Sequence, residues 1–276
     1  MLDYPALATG CQTQNEFNRL HIDLENVLAP LEIAGIAEGA AARELPRPSK
    51  AWLANVRLMC ADMLDDPRLF RRREISPFVN VYQEPGGTAA EKSLLIGFAG
   101  NARRLMLPAS VMLQCLEPGA WDVVILRRCA RNSFLRGIEG IASDLTGLVQ
   151  HLRGALAVER YRRVLTLGTS GGGYAAAWAA ILLRADRGVC VGGSMPQPAS
   201  DAGDPPLLYR PCATPHAVDL AFAFGLDFLR DMKSALALQD LFGGRLRPVP
   251  GIDQHGVFKV LLARGELPAF LKEVLS

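Results

Sequence analysis

Through residues 1–76 apolar positions recur at steps of three and four. Phe17, Leu20, Leu24, Val27, Leu28 and Leu31 form one series, and Trp52, Val56, Met59 and Met63 form another beyond a proline-rich break. This spacing places each set on one face of a helix that needs a partner, and Ser49 reads as the cap of the second run. From residue 77 the pattern changes to short runs of Val, Ile, Leu and Phe alternating with helix-period segments, which predicts a mostly parallel α/β sheet with helices on both faces. Strands are predicted at 78–82, 93–99, 122–127, 163–167, 189–193, 220–224 and 245–249. Runs such as Asp122-Val-Val-Ile-Leu are apolar on both faces, as expected of strands covered twice.

Between the third and fourth strands a helix is predicted with Ile138, Ile141, Leu145, Leu148 and Leu152 as its buried stripe. Others follow Ser170, begin near Asp231, and close the chain through Val257, Val260, Leu261, Leu267, Phe270 and Leu271. Six prolines between 195 and 215 mark a long loop in place of a large lid. The expected organisation is a helical extension over 1–76 and an α/β domain over 77–276.

Composition narrows the function. Half of the 276 residues are hydrophobic, and 30 Lys and Arg against 28 Asp and Glu leave a charge of only +2. A large core is affordable, and nothing draws the chain generally to nucleic acid or anionic lipid. The six cysteines form no C-x-x-C pair, and Met-Leu-Asp-Tyr-Pro at the start lacks the basic and apolar regions of a secretory signal, so a cytoplasmic protein with free thiols is expected. Residues 164–183 carry no charge over 20 positions. Their Gly-Thr-Ser-Gly-Gly-Gly centre reads as the turn between a strand and a helix and not as a membrane span.

That turn holds the chemistry. Gly168-Thr169-Ser170-Gly171-Gly172 fits G-x-S-x-G directly after the strand Val164-Leu-Thr-Leu. A serine on a sharp strand-to-helix turn projects its hydroxyl above the sheet, small flanking residues relieve the crowding, and the helix N-terminus offers free N–H groups to a developing anion. A phosphate cradle is the competing reading of a glycine-rich turn. It is disfavoured because the P-loop Lys-Ser/Thr pair, a clean G-x-G-x-x-G and an acidic end to the next strand are all missing.

With this elbow, residues 77–276 resemble the α/β-hydrolase superfamily of serine esterases and thioesterases. The resemblance implies a nucleophile, an acid and a histidine in that order along the chain. Ser170 is the nucleophile; His255, in the loop after the last strand, is the general base; and the acid is Asp227 or Asp231, with Asp227 placed ahead because it stands nearer the family's spacing after Gly225. The resemblance also implies an oxyanion hole from the N–H of Gly171 and that of Gly100 or Asn101, although the His-Gly pair of many lipases is absent.

The implied activity is hydrolysis of a carboxylic ester or thioester, small or carrier-bound, through an acyl-enzyme, with no cofactor or metal. Acyl transfer to another acceptor and a non-catalytic binding or partner role are the alternatives, and the N-terminal helices could pack beside the sheet, cover the site mouth or make a homo-oligomer. Arg103, Arg104 and Arg127, with Arg128 and Arg131, stand near the same sheet edge and could hold an acidic substrate, or simply be solvated ends. Trp178, Tyr174 and Cys190 read as core.

Overall fold

A computed structural model describes residues 3–41, 44–127, 134–196 and 216–276. The proposed Arg128 and Arg131 contacts, and most of the proline-rich loop, lie outside the described residues.

Five helices open the chain: α1 (Tyr4–Thr9), α2 (Gln14–Glu25), α3 (Pro30–Ala41), α4 (Arg47–Met59) and α5 (Asp62–Asp65). The start of α2 is fixed by a reciprocal cap, in which Thr13 Oγ1 accepts from Glu16 N–H and the Glu16 carboxylate accepts from Thr13 N–H (2.8 Å). Ser49 is not a cap. It lies buried inside α4, which begins after Pro46, where the ring fixes φ and leaves no N–H to satisfy. Tyr4, Phe17, Leu28, Ile33, Trp52, Val56 and Met63 give these helices an apolar core of their own.

Residues 71–76, read as helical from the sequence, form a strand instead. β1 (Arg71–Ser76) makes an antiparallel hairpin with β2 (Val79–Gln83), so the change from helix to sheet comes before residue 77. Its Arg-Arg-Arg-Glu-Ile-Ser sequence sits at the sheet edge with one face solvated, which removes the apolar run that announced the other strands.

The rest of the sheet is β3 (Ser93–Phe98), β4 (Trp121–Leu126), β5 (Arg163–Thr169), β6 (Arg187–Val191), β7 (Asp219–Gly225) and β8 (Arg245–Val249). The order is β1-β2-β4-β3-β5-β6-β7-β8, parallel from β4 to β8. After β3, α6 (Ala109–Gln114) covers one face with α10 (Val257–Ala263) and α11 (Leu267–Leu275). After β4, α7 (Leu145–Leu156) crosses to the other face, which α8 (Gly173–Leu183) and α9 (Leu229–Phe242) also cover. Connections thus leave the carboxyl ends of β3 and β5 toward opposite faces, opening a crevice there, the usual place for a ligand in such a sheet.

The predicted helical stripe between β4 and β5 is only half helical. Ile138 and Ile141 precede α7 in tight turns closed by an Ile138–Ala142 bridge, because Asp144 caps the helix by accepting Gly147 N–H (2.7 Å). Tyr174 and Trp178 pack against Phe242, and Cys190 is buried, as expected of core residues.

Candidate active site

Ser170 stands where β5 ends and a single tight turn, Ser170–Gly172, leads into α8. Its backbone has φ 51°, a left-handed conformation that costs a non-glycine residue about 1–2 kcal/mol. Strain of this kind persists only where the surroundings impose it. Here they do: Gly172 is pressed so closely to the Phe98 carbonyl at the end of β3 that a Cβ would overlap it. Ser170 is half-buried and so remains reachable.

The histidine and acid meet on the far side of the elbow. His255 Nδ1 lies 2.8 Å from Asp231 Oδ2 and 3.0 Å from Oδ1. A carboxylate only accepts, so Nδ1 is the donor of this pair, and in the neutral imidazole that tautomer leaves Nε2 its lone pair. Asp231 is buried at 4% side-chain exposure while His255 keeps 45%, a covered carboxylate beneath an accessible imidazole. Between this pair and the elbow runs the end of β6. Gly192, at φ +54°, faces Asp231 and His255, and Ser194 N–H donates to the Ser170 carbonyl (3.0 Å).

Asp227, the favoured acid of the sequence reading, is exposed, and the hydrogen bonds and ion pair of His255 go to Asp231 instead. Backbone pairing between β7 and β8 continues past the strand ends, from Leu226 N–H to Val249 O (2.9 Å) and from Asp227 N–H to Ile252 O (3.1 Å). This holds Asp227 at the rim. The chain turns through Leu226 and Asp227, closed by Phe228 N–H donating to the Gly225 carbonyl (3.0 Å), and the carboxylate that meets His255 is Asp231, in the first turn of α9.

Of the oxyanion candidates, Gly171 follows Ser170 at the start of its helical turn. Gly100 packs against Ser170, a Cβ there coming within 2.9 Å of Ser170 Cβ and 3.6 Å of Oγ. Its N–H, however, is taken by the Arg104 carbonyl (3.2 Å), whereas Asn101 N–H meets no acceptor among the described residues. Of the two, Asn101 N–H is the one left uncommitted among the described residues.

The arginines separate in the same way. Arg104 pairs with Glu25 of α2 (3.3 Å), and Arg127 donates from Nη2 to the Pro77 carbonyl, its own charged form disfavoured by burial. Neither is a loose cation at the site. Arg103 is exposed in a left-handed turn beside Asn101, with no ion pair among the described residues. Met106, whose Cε lies 2.9 Å from where a Gly192 Cβ would stand, joins the wall by the acid–base pair and had no sequence signal. Gly192-Gly193 was visible as small residues ending a strand, but not as a contact of the pair.

No protein-family model matches the sequence, and no curated protein matches it. Among solved structures the chain is similar to a dienelactone hydrolase from Anabaena variabilis, with 16% identity over 75% of this chain and 97% of that one and a TM-score of 0.51. It also aligns with esterase B from Lactobacillus rhamnosis (13% identity, 82% and 96% coverage, TM-score 0.46). A truncated carbohydrate esterase from gut microbiota aligns at 16% identity over 71% and 90%, with a TM-score of 0.45. The open, mostly parallel sheet with its strand-to-helix elbow is the fold of the α/β-hydrolase superfamily. No helix among the described residues is long and apolar enough to cross a membrane.

Proposed function

We propose that the chain is a serine hydrolase of a carboxylic ester or thioester, with Ser170 as nucleophile, His255 as base and Asp231 as the orienting acid. The observation that carries this reading is the buried Asp231 bonded through both oxygens to His255 Nδ1 at the sheet edge that holds Ser170 in its strained turn. With Nδ1 protonated, Nε2 can take the Ser170 proton as Oγ attacks the substrate carbonyl. The imidazolium so formed faces a carboxylate already in place. Negative charge then gathers on the carbonyl oxygen, for which Gly171 and Asn101 N–H are the proposed donors, and loss of one such donor typically costs about 2.7–4 kcal/mol. Protonated His255 passes its proton to the leaving alcohol or thiol, and water attacking the acyl-serine restores the enzyme. Arg103 is the cation left for an anionic group on the substrate.

The test is labelling with a fluorophosphonate at neutral pH. Wild type is expected to label, Ser170→Ala to lose labelling entirely, and His255→Ala to lose most of it. A folded wild type that does not label, or a Ser170→Ala variant that still does, overturns the proposal.

A further inference from the structure

One ion pair of the helical extension ends at the turn beside Ser170. We propose that the N-terminal helices position the oxyanion turn, with Glu25 as the positioning residue and Arg104 as the link. This rests on Ser170 being the nucleophile.

The Arg104 carbonyl accepts two hydrogen bonds, from Gly100 N–H (3.2 Å) and from Thr169 Oγ1 (3.4 Å). Gly100 immediately precedes Asn101 and Thr169 immediately precedes Ser170. A single carbonyl therefore sets the spacing between the two strand ends that carry the donor and the nucleophile. The turn it closes contains Arg103 and is followed by Met106, both at positive φ (59° and 64°), so its shape is imposed and not intrinsic.

What holds Arg104 is Glu25. The two carboxylate oxygens have separate partners: Oε2 faces Arg104 Nη1 at 3.3 Å and Oε1 accepts from Trp52 Nε1 at 3.0 Å. Trp52 in turn stacks on His21 with ring centroids 4.6 Å apart and planes 4° from parallel, and His21 Nε2 is hydrogen-bonded to Tyr4 OH (2.9 Å). Both members of the pair are largely covered, at 24% and 15% side-chain exposure. It is thus an anchored contact, unlike the exposed Arg68–Glu117 pair at the opposite sheet edge. An error of about 1 Å in a catalytic donor can cost on the order of a hundredfold in rate, so a clamp on this turn acts on kcat.

A second pair supplies the control. Arg72 of β1 and Glu32 of α3 (3.1 Å) dock the same helices to the sheet without touching the turn. Inactivation by a fluorophosphonate and hydrolysis of a short p-nitrophenyl ester are measured for wild type, Glu25→Gln, Arg104→Gln, their double variant and Glu32→Gln. Glu25→Gln is expected to lower kcat about tenfold or more with KM within about twofold, and the double variant to be no slower than either single one. Glu32→Gln is expected to lower the melting temperature and leave kcat within about twofold. Equal loss of kcat in Glu32→Gln, or an unchanged kcat in Glu25→Gln, overturns the inference and leaves the hydrolase reading standing. An unlabelled wild type overturns both. Should Glu25→Gln not fold, Trp52→Phe removes the indole donor to Glu25 while keeping an aromatic ring against His21, and an unchanged kcat there is equally fatal.

Discussion

Replacing Asp231 by Asn keeps the shape of the side chain and changes the proton. The wild-type carboxylate accepts from His255 Nδ1 with both oxygens, at 2.8 and 3.0 Å, which commits the imidazole to the tautomer whose Nε2 is free to accept. An amide offers one oxygen and one NH2. If the NH2 turns to Nδ1, the ring must carry its proton on Nε2 and can no longer take one from Ser170. If the oxygen turns to Nδ1, the charge that stabilises the imidazolium is still gone. In serine proteases a substitution of this kind costs about 10⁴-fold in kcat, and four factors of ten correspond to about 5.5 kcal/mol of transition-state stabilisation.

Folding should suffer far less from that change. Asp231 sits in the first turn of α9, where a carboxylate gains about 0.3–1 kcal/mol from the helix dipole. The melting temperature is therefore expected to fall by no more than about 4 °C. The assay is fluorophosphonate inactivation together with p-nitrophenyl ester hydrolysis, with Asp227→Asn beside it. Asp227 is exposed and anchored only through its backbone, so its variant is expected within about twofold of wild type. An Asp231→Asn enzyme within tenfold of wild type, or an Asp227→Asn enzyme equally crippled, refutes the assignment.

Gly192→Ala would place a methyl 2.8 Å from Asp231 Oδ2 and 3.3 Å from His255 Cε1 at φ +54°, and should cut activity at least about tenfold with about 1 kcal/mol lost in stability; full activity would show the pair has room to move. At the opposite sheet edge, Lys92 Nζ and Asp122 Oδ1 pair at 3.1 Å in burial, with Tyr161 OH also donating to Asp122 (2.8 Å). Lys92→Met leaves that carboxylate short of a cation and should cost about 3 kcal/mol in urea denaturation, largely recovered in Lys92→Met/Asp122→Leu. His21 is buried, and burial holds its pKa below the ordinary value of 6.5. The folded state therefore binds fewer protons than the unfolded one, and this contribution is complete above about pH 6.5 and lost as the pH falls through the depressed pKa. Denaturation between pH 7 and 5 should show that slope in wild type and a flatter one in His21→Gln; identical slopes would refute it.

Legibility followed burial in the centre of the sheet. Strand β3, buried at every position, is found within one residue of its expected range, because an apolar run between turn residues has few alternatives when both faces are covered; β8, a largely uncovered edge strand, is also found at the residues expected. β1 was not legible: three arginines at a half-solvated edge satisfy the sheet through backbone bonds that any sequence can make. The helix ahead of β5 was overextended because Ile138 and Ile141 are buried at helical spacing without being helical.

What the sequence determined by itself was local: a serine between glycines where a strand turns into a helix, a histidine after the last strand, and two acids past the strand before it. Short-range sterics select those features. Which acid meets the histidine depended on how far β7 and β8 stay paired beyond their strand ends, and that distance is written in the register of two segments about 25 residues apart. Likewise Arg104 and Glu25 stand 79 positions apart, and no local pattern marks either of them. Only the docking of α2 against the turn after β3 turns an arginine that resembled a substrate contact into a partner of the N-terminal helices, because a charge finds its partner by position in space and not by order in the chain.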